Sequence, residues 1–253
     1  MKLFGLIGYP LSHSFSKKYF SEKFEKENIS GCEYNTYPIE NINLFPKLIT
    51  DNPSLCGLNV TIPYKEAVIP FLSELDATAK AVGAVNCIKI DARGKNQEAR
   101  LIGYNTDVFG FRQSIKPFLE SQHERALILG TGGASKAVHY VLKEIGIDCY
   151  FVSRSKKQES RDKTLLYSEI NENVIGSFKL IINTTPVGMY PNINDTPEIP
   201  YHLITSSHLL YDLVYNPLET EFLKRGKQQG ASVVNGLSML HQQAEEACRI
   251  WNK

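Results

Sequence analysis

The chain has 253 residues, of which 42% are hydrophobic and 22% charged, enough for one large or two modest folded domains. Its formal net charge is +1, from 28 basic and 27 acidic residues, so no overall field favours nucleic acid or an anionic membrane as a partner. The five scattered cysteines form no CxxC pair, which excludes a disulfide framework and a zinc site, and no stretch has the length of a signal peptide or membrane span. We therefore expect a cytoplasmic protein.

In the first part of the chain, short apolar runs alternate with amphipathic segments. The run over residues 2–7 stops at Gly8 and predicts a buried strand, and Tyr19, Phe20 and Phe24 supply the apolar stripe of a helix over 17–28. Further strands are predicted over 57–61, 84–90 and 101–104, and further helices over 77–82 and about 108–120.

A clearer alternation of strands and helices begins at residue 126. Strands are predicted over 126–129, 148–152, 180–182, 208–213 and 232–234, and helices over 135–145, 219–229 and 237–251. Such alternation implies parallel sheets that are covered by helices on both faces.

A glycine-rich segment, Gly130-Thr131-Gly132-Gly133-Ala134-Ser135, stands between a predicted strand and a predicted helix. Glycines at this place let backbone N–H groups approach a pyrophosphate, and the helix dipole favours its negative charge. The third position of the dinucleotide fingerprint is Ser135 instead of glycine, so a glycine-rich turn that opens a core helix is the alternative interpretation.

The next predicted strand is followed by Ser153-Arg154-Ser155-Lys156-Lys157. This stretch lacks the acidic residue that binds the ribose 2′-hydroxyl in NAD enzymes. The guanidinium of Arg154 can instead bind the 2′-phosphate of NADP through paired hydrogen bonds. A solvated basic turn is the competing interpretation, and the position at the end of a strand favours NADP as the cofactor.

Two serines, Ser14 and Ser16, precede the first predicted helix. Their hydroxyls can hydrogen-bond a carboxylate that lies near the start of the helix. Ser16 is equally compatible with a simple N-cap.

Lys65 and Asp107 each follow a predicted strand. Alone, Lys65 is compatible with a solvated surface position and Asp107 with an N-cap. Together they are more informative, because ligands of parallel sheets gather beyond the carboxyl ends of the strands. We expect Asn59, Thr61 and Asn86 at the same edge, where their donors and acceptors suit a polyol.

These segments together resemble the shikimate dehydrogenase family, in the family's order and over nearly the whole chain. The matching segments are 8–16 (GYPLSHSFS), 59–66 (NVTIPYKE), 83–86 (GAVN), 105–107 (NTD), 130–135 (GTGGAS), 183–189 (NTTPVGM), 212–215 (DLVY) and 236–240 (GLSML). The resemblance implies a three-layer α/β/α substrate domain over 1–107, to which a terminal helix over 237–253 returns, and a Rossmann NADP domain over 108–236. The implied reaction is the reversible NADPH-dependent reduction of 3-dehydroshikimate to shikimate, on the route to chorismate and the aromatic amino acids.

The resemblance also implies roles for individual residues. The substrate carboxylate would be held by Ser14, Ser16 and Tyr215. Ring hydroxyls would be bound by Asn59, Thr61, Asn86, Asp107 and Gln243, and the nucleotide site would be lined by Thr184, Thr185, Leu213 and Gly236. The chain departs from the family pattern at Lys17, where proline is frequent, at Thr131, where alanine is usual, and at 156–158, where a second arginine is frequent.

We expect Lys65, as the ammonium, to donate a proton to the oxygen that hydride transfer makes negative. Asp107 would orient Lys65 and accept a hydrogen bond from a substrate hydroxyl. The alternative is that Lys65 only binds and polarises the substrate while solvent supplies the proton. No metal is required, and none of the six histidines has ligand spacing.

Three other functions remain compatible with the sequence. The nearest is a quinate or dual quinate/shikimate dehydrogenase that uses NAD or NADP. A methylenetetrahydrofolate dehydrogenase-like enzyme would share the two-domain layout. The polyol-suited set Asn59, Thr61, Asn86 and Asp107 argues against it. A non-catalytic NADP-binding regulator is the third, and the presence of both Lys65 and Asp107 disfavours it. The protein is expected to be a monomer or a homodimer.

Overall fold

The computed structural model describes residues 1–11, 15–91, 99–155 and 163–252. The chain divides into two compact units, Met1–Thr106 with Ala244–Lys253 and Asp107–Gln243. Over the described ranges, no helix combines the length and the apolar character needed to cross a membrane.

The first unit is built on a mixed sheet. Its helices and strands are β1 (Lys2–Gly8), α1 (Phe15–Lys26), β2 (Cys32–Pro38), α2 (Phe45–Asp51), β3 (Leu55–Val60), β4 (Glu74–Leu75), α3 (Ala77–Val82), β5 (Cys87–Asp91) and β6 (Arg100–Tyr104). Within the described residues the strand order is β2-β1-β3-β5-β6-β4. Strand β5 runs antiparallel to both β3 and β6, so the expectation of a wholly parallel sheet is wrong for this unit. The chain between β3 and β5 spans residues 61–86 and includes β4 and α3, so a helix between two strands does not by itself make them parallel.

Two apolar clusters cover opposite faces of this sheet. Successive residues of a strand point to opposite faces, and on β1 Phe4 and Leu6 face one cluster while Ile7 faces the other. The first cluster includes Phe20 of α1 and Trp251 near the C-terminus, and the second includes helix α2 and helix α3. The predicted three-layer α/β/α architecture is therefore confirmed for this unit.

The second unit contains a parallel sheet. Its elements are α4 (Thr106–Ile115), β7 (Arg125–Leu129), α5 (Gly133–Glu144), β8 (Asp148–Ser153), β9 (Thr164–Leu166), α6 (Glu172–Ser177), β10 (Leu180–Asn183), β11 (Leu209–Asp212), α7 (Glu221–Gln228), β12 (Ser232–Val234) and α8 (Leu237–Trp251), whose residues from Ala244 onward belong to the first unit. In the described part of the unit the strand order is β12-β11-β10-β7-β8-β9, and every pair is parallel. This is the order of a Rossmann sheet, as predicted.

Helices cover both faces of the Rossmann sheet as well. One face packs Leu127 and Ile181 against Phe222 of α7 and Ile175 of α6. On the other face, Tyr211 of β11 makes an edge-on ring contact with Phe111 of α4, with centroids 5.2 Å apart. The carboxyl ends of all these strands consequently meet at one edge, where the glycine-rich loop lies.

Candidate active site

Polar side chains gather at one edge of the first unit's sheet, where β3 and β6 end and β5 begins. Because β5 is antiparallel to both neighbours, Cys87 at its start lies opposite Asn59 of β3 and Tyr104 of β6. Asn86, the residue before β5, is therefore at the same edge as the ends of β3 and β6. Asn59 and Asn86 were predicted to lie at one edge because the strands were expected to be parallel. They do lie at one edge, but the reason is that β5 is antiparallel to β3.

Asn86 is the centre of a hydrogen-bonded group at this edge. Its Oδ1 accepts from the backbone N of Thr106 at 2.6 Å, and its Nδ2 donates to Thr106 Oγ1 at 3.0 Å. The amide of Asn105 donates to the carbonyl oxygen of Ala84 at 2.9 Å, and Asn59 Nδ2 makes a longer 3.4 Å contact with the Asn86 carbonyl. These amides are almost fully buried, and their hydrogen bonds fix which way they point.

Tyr34, which the sequence analysis did not single out, supports this group from β2. Its hydroxyl donates to Asn59 Oδ1 at 2.8 Å, and the Ser16 hydroxyl hydrogen-bonds to the Tyr34 oxygen. Complete burial raises the pKa of Tyr34 well above its usual value, so the phenol is neutral. Ser16 and Asn59 are therefore connected through one buried hydroxyl.

Of the two predicted carboxylate-binding serines, Ser14 and Ser16, the structure describes only Ser16. Ser16 is the second residue of α1, so the alternative in which it caps the helix is wrong: the helix has already begun at Phe15. Ser14 lies outside the described residues.

Thr61 follows the end of β3, and its backbone N donates to the carbonyl of Ile7 at 2.9 Å.

Lys65 lies in the turn after β3, beside the same edge. Its carbonyl accepts a hydrogen bond from Val85 N at 2.7 Å, which fixes its backbone next to the residue before Asn86. The preceding Tyr64 is buried and donates its hydroxyl to the Ile39 carbonyl at 2.5 Å. Lys65 itself is half-buried, unlike a fully solvated surface lysine.

Asp107 lies in the first turn of α4, which begins at Thr106. The alternative in which Asp107 caps this helix is therefore wrong. Its side chain is 5% exposed, and a carboxylate this deeply buried requires specific partners or a ligand.

The glycine-rich loop joins β7 to α5 in the second unit. Gly130 has a φ of +102°, and a Cβ there would lie 2.9 Å from Cγ2 of Thr185, so glycine is needed. A Cβ on Gly132 would meet nothing within 4 Å, so the backbone at the start of α5 faces open space, which fits a phosphate group. Ser135 is buried and donates its hydroxyl to the Gly132 carbonyl at 2.6 Å. The other predicted residues of the loop are Thr131, Gly133 and Ala134.

Two further segments approach this loop or its surroundings within the second unit. Thr184 Oγ1 donates to the Leu129 carbonyl at 2.6 Å, and a Cβ on Gly130 would lie 3.0 Å from that same Oγ1. The Leu213 carbonyl oxygen lies only 2.0 Å from where a Cβ of Gly236 would be, so only glycine permits this approach. The structure thus brings Thr184 and Thr185 to Gly130, and Leu213 to Gly236.

Asn183 and Asp212 belong to two of the sequence motifs, but no role was predicted for either residue. Both are fully buried at the carboxyl ends of β10 and β11, and Asn183 Nδ2 donates to Asp212 Oδ1 at 3.0 Å. Burial raises the pKa of Asp212 to about 6, although the hydrogen bonds it accepts lower it. The available signal was that each ends a fully apolar run with a polar side chain.

Arg154 is exposed and directly follows β8. Burial raises the pKa of Tyr167, and the charge of Arg154 opposes that increase, which places the two side chains in one neighbourhood. Ser155 N donates to Ser153 Oγ at 3.4 Å, a bond that shapes the turn around Arg154. Residues 156–158, where the chain departs from the family pattern, lie outside the described residues.

Tyr215 and Gln243, the last predicted substrate residues, belong to the second unit. Tyr215 is half-buried after β11, and burial raises its pKa. Gln243 lies on α8, where its Nε2 donates to the Leu240 carbonyl at 3.0 Å. A Cβ on Gly110 would lie 3.0 Å from Cβ of Gln243, so a glycine in α4 allows the close approach of α8.

Comparisons with known proteins agree over nearly the whole chain. A family model described as the shikimate dehydrogenase substrate binding domain matches residues 6–88. A relative named shikimate dehydrogenase (NADP(+)), from Carboxydothermus hydrogenoformans, is 40% identical and is aligned over 99% of this chain and 91% of its own length.

Solved structures give the same result. Shikimate dehydrogenase 1 from Peptoclostridium difficile superposes with a TM-score of 0.86 at 38% identity, over 100% of this chain and 92% of that one. Shikimate 5-dehydrogenase from Thermus thermophilus, solved in complex with NADP(H) and shikimate, has a TM-score of 0.83 at 29% identity, over 99% of this chain and 93% of that one.

Proposed function

The chain belongs to the shikimate dehydrogenase family, and on this premise we propose that it reduces 3-dehydroshikimate reversibly to shikimate with NADPH. The observation that supports this most is the buried amide group of Asn59 and Asn86 at the edge that also holds Lys65. Fixed donors and acceptors at this edge suit the hydroxyls of a small polyol. The reaction supplies shikimate on the route to chorismate and the aromatic amino acids.

We propose that the first unit provides most of the substrate contacts. Ser14 and Ser16 bind the carboxylate, and Asn59, Thr61 and Asn86 bind ring hydroxyls. The link from Ser16 through Tyr34 to Asn59 supports a shared positioning of these groups. Tyr215 and Gln243 are the substrate residues proposed in the second unit.

Lys65 and Asp107 are the proposed catalytic residues. When bound, NADPH would supply the hydride that the carbonyl carbon receives. The ammonium of Lys65 donates a proton to the carbonyl oxygen as negative charge develops there, and in the reverse direction the neutral amine removes it. Asp107 accepts a hydrogen bond from a substrate hydroxyl, a role that its burial at the start of α4 supports.

NADP is the proposed cofactor. The positive φ of Gly130, the open space at Gly132 and the close approach of Leu213 to Gly236 fit a bound dinucleotide. The proposed contacts comprise residues 130–134 and 153–155 together with Thr184, Thr185, Leu213 and Gly236. Within them, Arg154 is proposed to bind the 2′-phosphate.

The cytoplasm is the proposed compartment, because all five cysteines are free thiols. A monomer or homodimer is the proposed assembly.

The reaction can be tested by analysing the product that forms from 3-dehydroshikimate. We expect NADPH with deuterium at its transferable position to give shikimate deuterated at the former carbonyl carbon. Loss of NADPH without deuterium in the product, or no product at all, would contradict the proposed reaction.

A further inference from the structure

The carboxylate of Asp212 receives hydrogen bonds from three different parts of the second unit. Its Oδ1 accepts from Asn183 Nδ2 and from Val214 N, each at 3.0 Å. Its Oδ2 accepts from Thr220 Oγ1 at 2.5 Å. The three donors lie at the end of β10, just after β11 and at the start of α7, so this one side chain joins three elements.

Asn183 extends the network into the segment after β10. Its Oδ1 accepts from the backbone N of Thr185 at 3.1 Å and from Thr185 Oγ1 at 2.6 Å. Its Nδ2 also lies 3.3 Å from the Val187 carbonyl. The amide therefore fixes the turn over 185–187, and Asp212 in turn fixes the amide.

The two segments that this network holds are those that approach the glycines of the cofactor half. The methyl group of Thr185 limits the space at Gly130, where a Cβ would come within 2.9 Å. Gly236 N donates to the Val214 carbonyl at 3.1 Å, and Val214 is the residue whose N–H Asp212 binds. A change at Asp212 would consequently reach Gly130 through Asn183 and Thr185, and Gly236 through Val214.

All three partners of Asp212 are hydrogen-bond donors. A carboxylate can accept a hydrogen bond from each of them, whereas an apolar side chain can accept none. Burial most strongly raises the pKa values of two titratable side chains, Tyr201 and Tyr211, and the charge of Asp212 raises both pKa values further. A buried carboxylate is a costly way to join three elements, because its desolvation opposes folding. Two of its three donors, Asn183 and Val214, belong to the segments beside Gly130 and Gly236.

We propose that Asp212 is a positioning residue for the cofactor, holding the segments after β10 and β11 in the arrangement that receives NADP. The proposal rests on the proposed function, since it requires that the second unit binds NADP. The opposing explanation is that the network only stabilises the Rossmann sheet. The two differ in whether the loss of Asp212 changes the dissociation constant for NADPH beyond what an equal loss of stability does.

The test compares three variants by NADPH fluorescence titration without substrate and by thermal unfolding. Asp212→Ala removes the acceptor of all three donors, and Asp212→Asn keeps one oxygen acceptor in the same shape. Tyr211→Phe is the matched control, because Tyr211 precedes Asp212 on β11 and its hydroxyl is bonded to Ser114 at 2.6 Å on the opposite face. It removes a buried hydrogen bond from the same strand but none of the hydrogen bonds of the network.

We expect Asp212→Ala to raise the dissociation constant for NADPH by about tenfold or more, because buried donors lose their acceptor. Asp212→Asn should recover most of the affinity, and Tyr211→Phe should lower the melting temperature but leave the affinity unchanged. An Asp212→Ala protein with wild-type affinity and a lower melting temperature would overturn the proposal. If wild type itself binds no NADPH, the proposed cofactor fails as well, and the positioning role falls with it.

A second pair of variants decides the matter if Asp212→Ala does not fold. Thr220→Val removes one donor to Asp212 while preserving shape, and Thr220→Ser keeps the hydroxyl that bonds Asp212 and caps α7. We expect Thr220→Val to weaken NADPH binding by roughly threefold or more relative to Thr220→Ser. Equal affinity in the two variants would contradict the positioning role.

Discussion

Among individual residues, buried amides and hydroxyls define the proposed substrate edge more than charged groups do. Asn86 uses both ends of its amide on Thr106, and Tyr34 uses its hydroxyl on Asn59. Each of these groups has lost its water, so the hydrogen bonds must be made within the protein. The result is a preformed set of donors and acceptors, which lowers the cost of ordering the site when a polyol binds.

Replacement of Lys65 by alanine tests the proposed proton transfer. We expect kcat to fall by about 10²–10⁴-fold, the usual contribution of a positioned general acid, with a smaller change in the KM for shikimate. The measurement is steady-state oxidation of shikimate by NADP. Lys80→Ala on α3, where the lysine is exposed, is the control and should leave kcat unchanged. A Lys65 variant that changed only KM would eliminate the acid–base role.

Replacement of Arg154 by alanine tests the choice of cofactor. We expect the KM for NADP to rise by about tenfold or more, because charge-assisted hydrogen bonds to the 2′-phosphate are lost, while the KM for NAD stays the same. Arg125→Ala removes an exposed arginine at the start of β7, the opposite edge of the parallel sheet, and should change neither value. Equal increases for both cofactors in the Arg154 variant would refute the assignment.

The sequence could identify residues near the ends of predicted strands: Asn59 lies in the strand predicted over 57–61, and Lys65 and Asp107 each follow a predicted strand. It could not identify Tyr34, because β2 is too polar to predict as a strand. Asp212 was visible as a motif member, but its role depends on partners at three separate places in the chain. Such a role follows only from knowing which segments meet.

Among helices and strands, the bounds were predicted most accurately where local sequence signals mark both ends of the element. Helix α3 has the predicted bounds, with Asp76 accepting from Ala79 N at its start and Gly83 in the left-handed conformation at its end. Helix α8 also has its predicted bounds, because its apolar stripe is long.

Other elements differ because their local signals are weak or misleading. Helix α4 ends at Ile115, before a short 3-10 turn over Lys116–Phe118, and is shorter than predicted. Proline at position 117 removes a backbone donor there. The short elements β2, α2, β4, β9 and α6 were not predicted. The direction of β5 depends on strand pairing, which periodicity alone does not report.

Helices α1 and α8 are joined by a partly buried ion pair within the first unit. Lys23 Nζ lies 2.8 Å from Glu245 Oε2, and the Tyr19 hydroxyl also donates to Glu245. We expect Glu245→Ala to lower the free energy of unfolding by roughly 1–3 kcal/mol, because Lys23 is only 10% exposed and keeps one carboxylate partner, Glu27. Urea unfolding measures this change.

The matched control for Glu245→Ala is Glu22→Ala on helix α1, the helix that carries Lys23. Glu22 pairs with Lys18 at 3.7 Å, and both side chains are largely exposed. Its loss should cost about 0.5 kcal/mol or less, since exposed ion pairs contribute little. If the two variants were equally stable, the proposed link between α1 and α8 would contribute nothing beyond a surface pair.

At the scale of the whole molecule, two buried histidines make stability depend on pH. His208 accepts from Thr205 N through Nδ1 at 3.0 Å and lies 3.0 Å from the Ile175 carbonyl through Nε2. His123 likewise accepts from Glu120 N through Nδ1 at 2.9 Å. Burial lowers the pKa of both below the ordinary 6.5. Protonation of Nδ1 in either histidine would place its N–H against the backbone N–H that now donates to it.

The sign of the effect follows from proton binding. As the pH falls through 6.5, the unfolded chain takes up protons that the folded histidines do not, so the free energy of unfolding decreases. The raised pKa of Asp212 acts oppositely, giving stability that is lost as the pH rises through about 6. We expect His208→Gln to reduce the loss of stability between neutral and mildly acidic pH, whereas His202→Gln, at an exposed position, should not. An unchanged pH dependence in the His208 variant would contradict this account.

Whether the protein oxidises shikimate specifically with NADP can be measured by following NADPH or NADH formation with shikimate or quinate, each offered with NADP or NAD. We predict turnover with shikimate and NADP and far slower reaction in the other three combinations. Comparable turnover with quinate or with NAD would instead indicate a dual-specificity enzyme of the same family. No turnover in any combination, while NADPH still binds, would contradict the catalytic account and favour a regulatory protein.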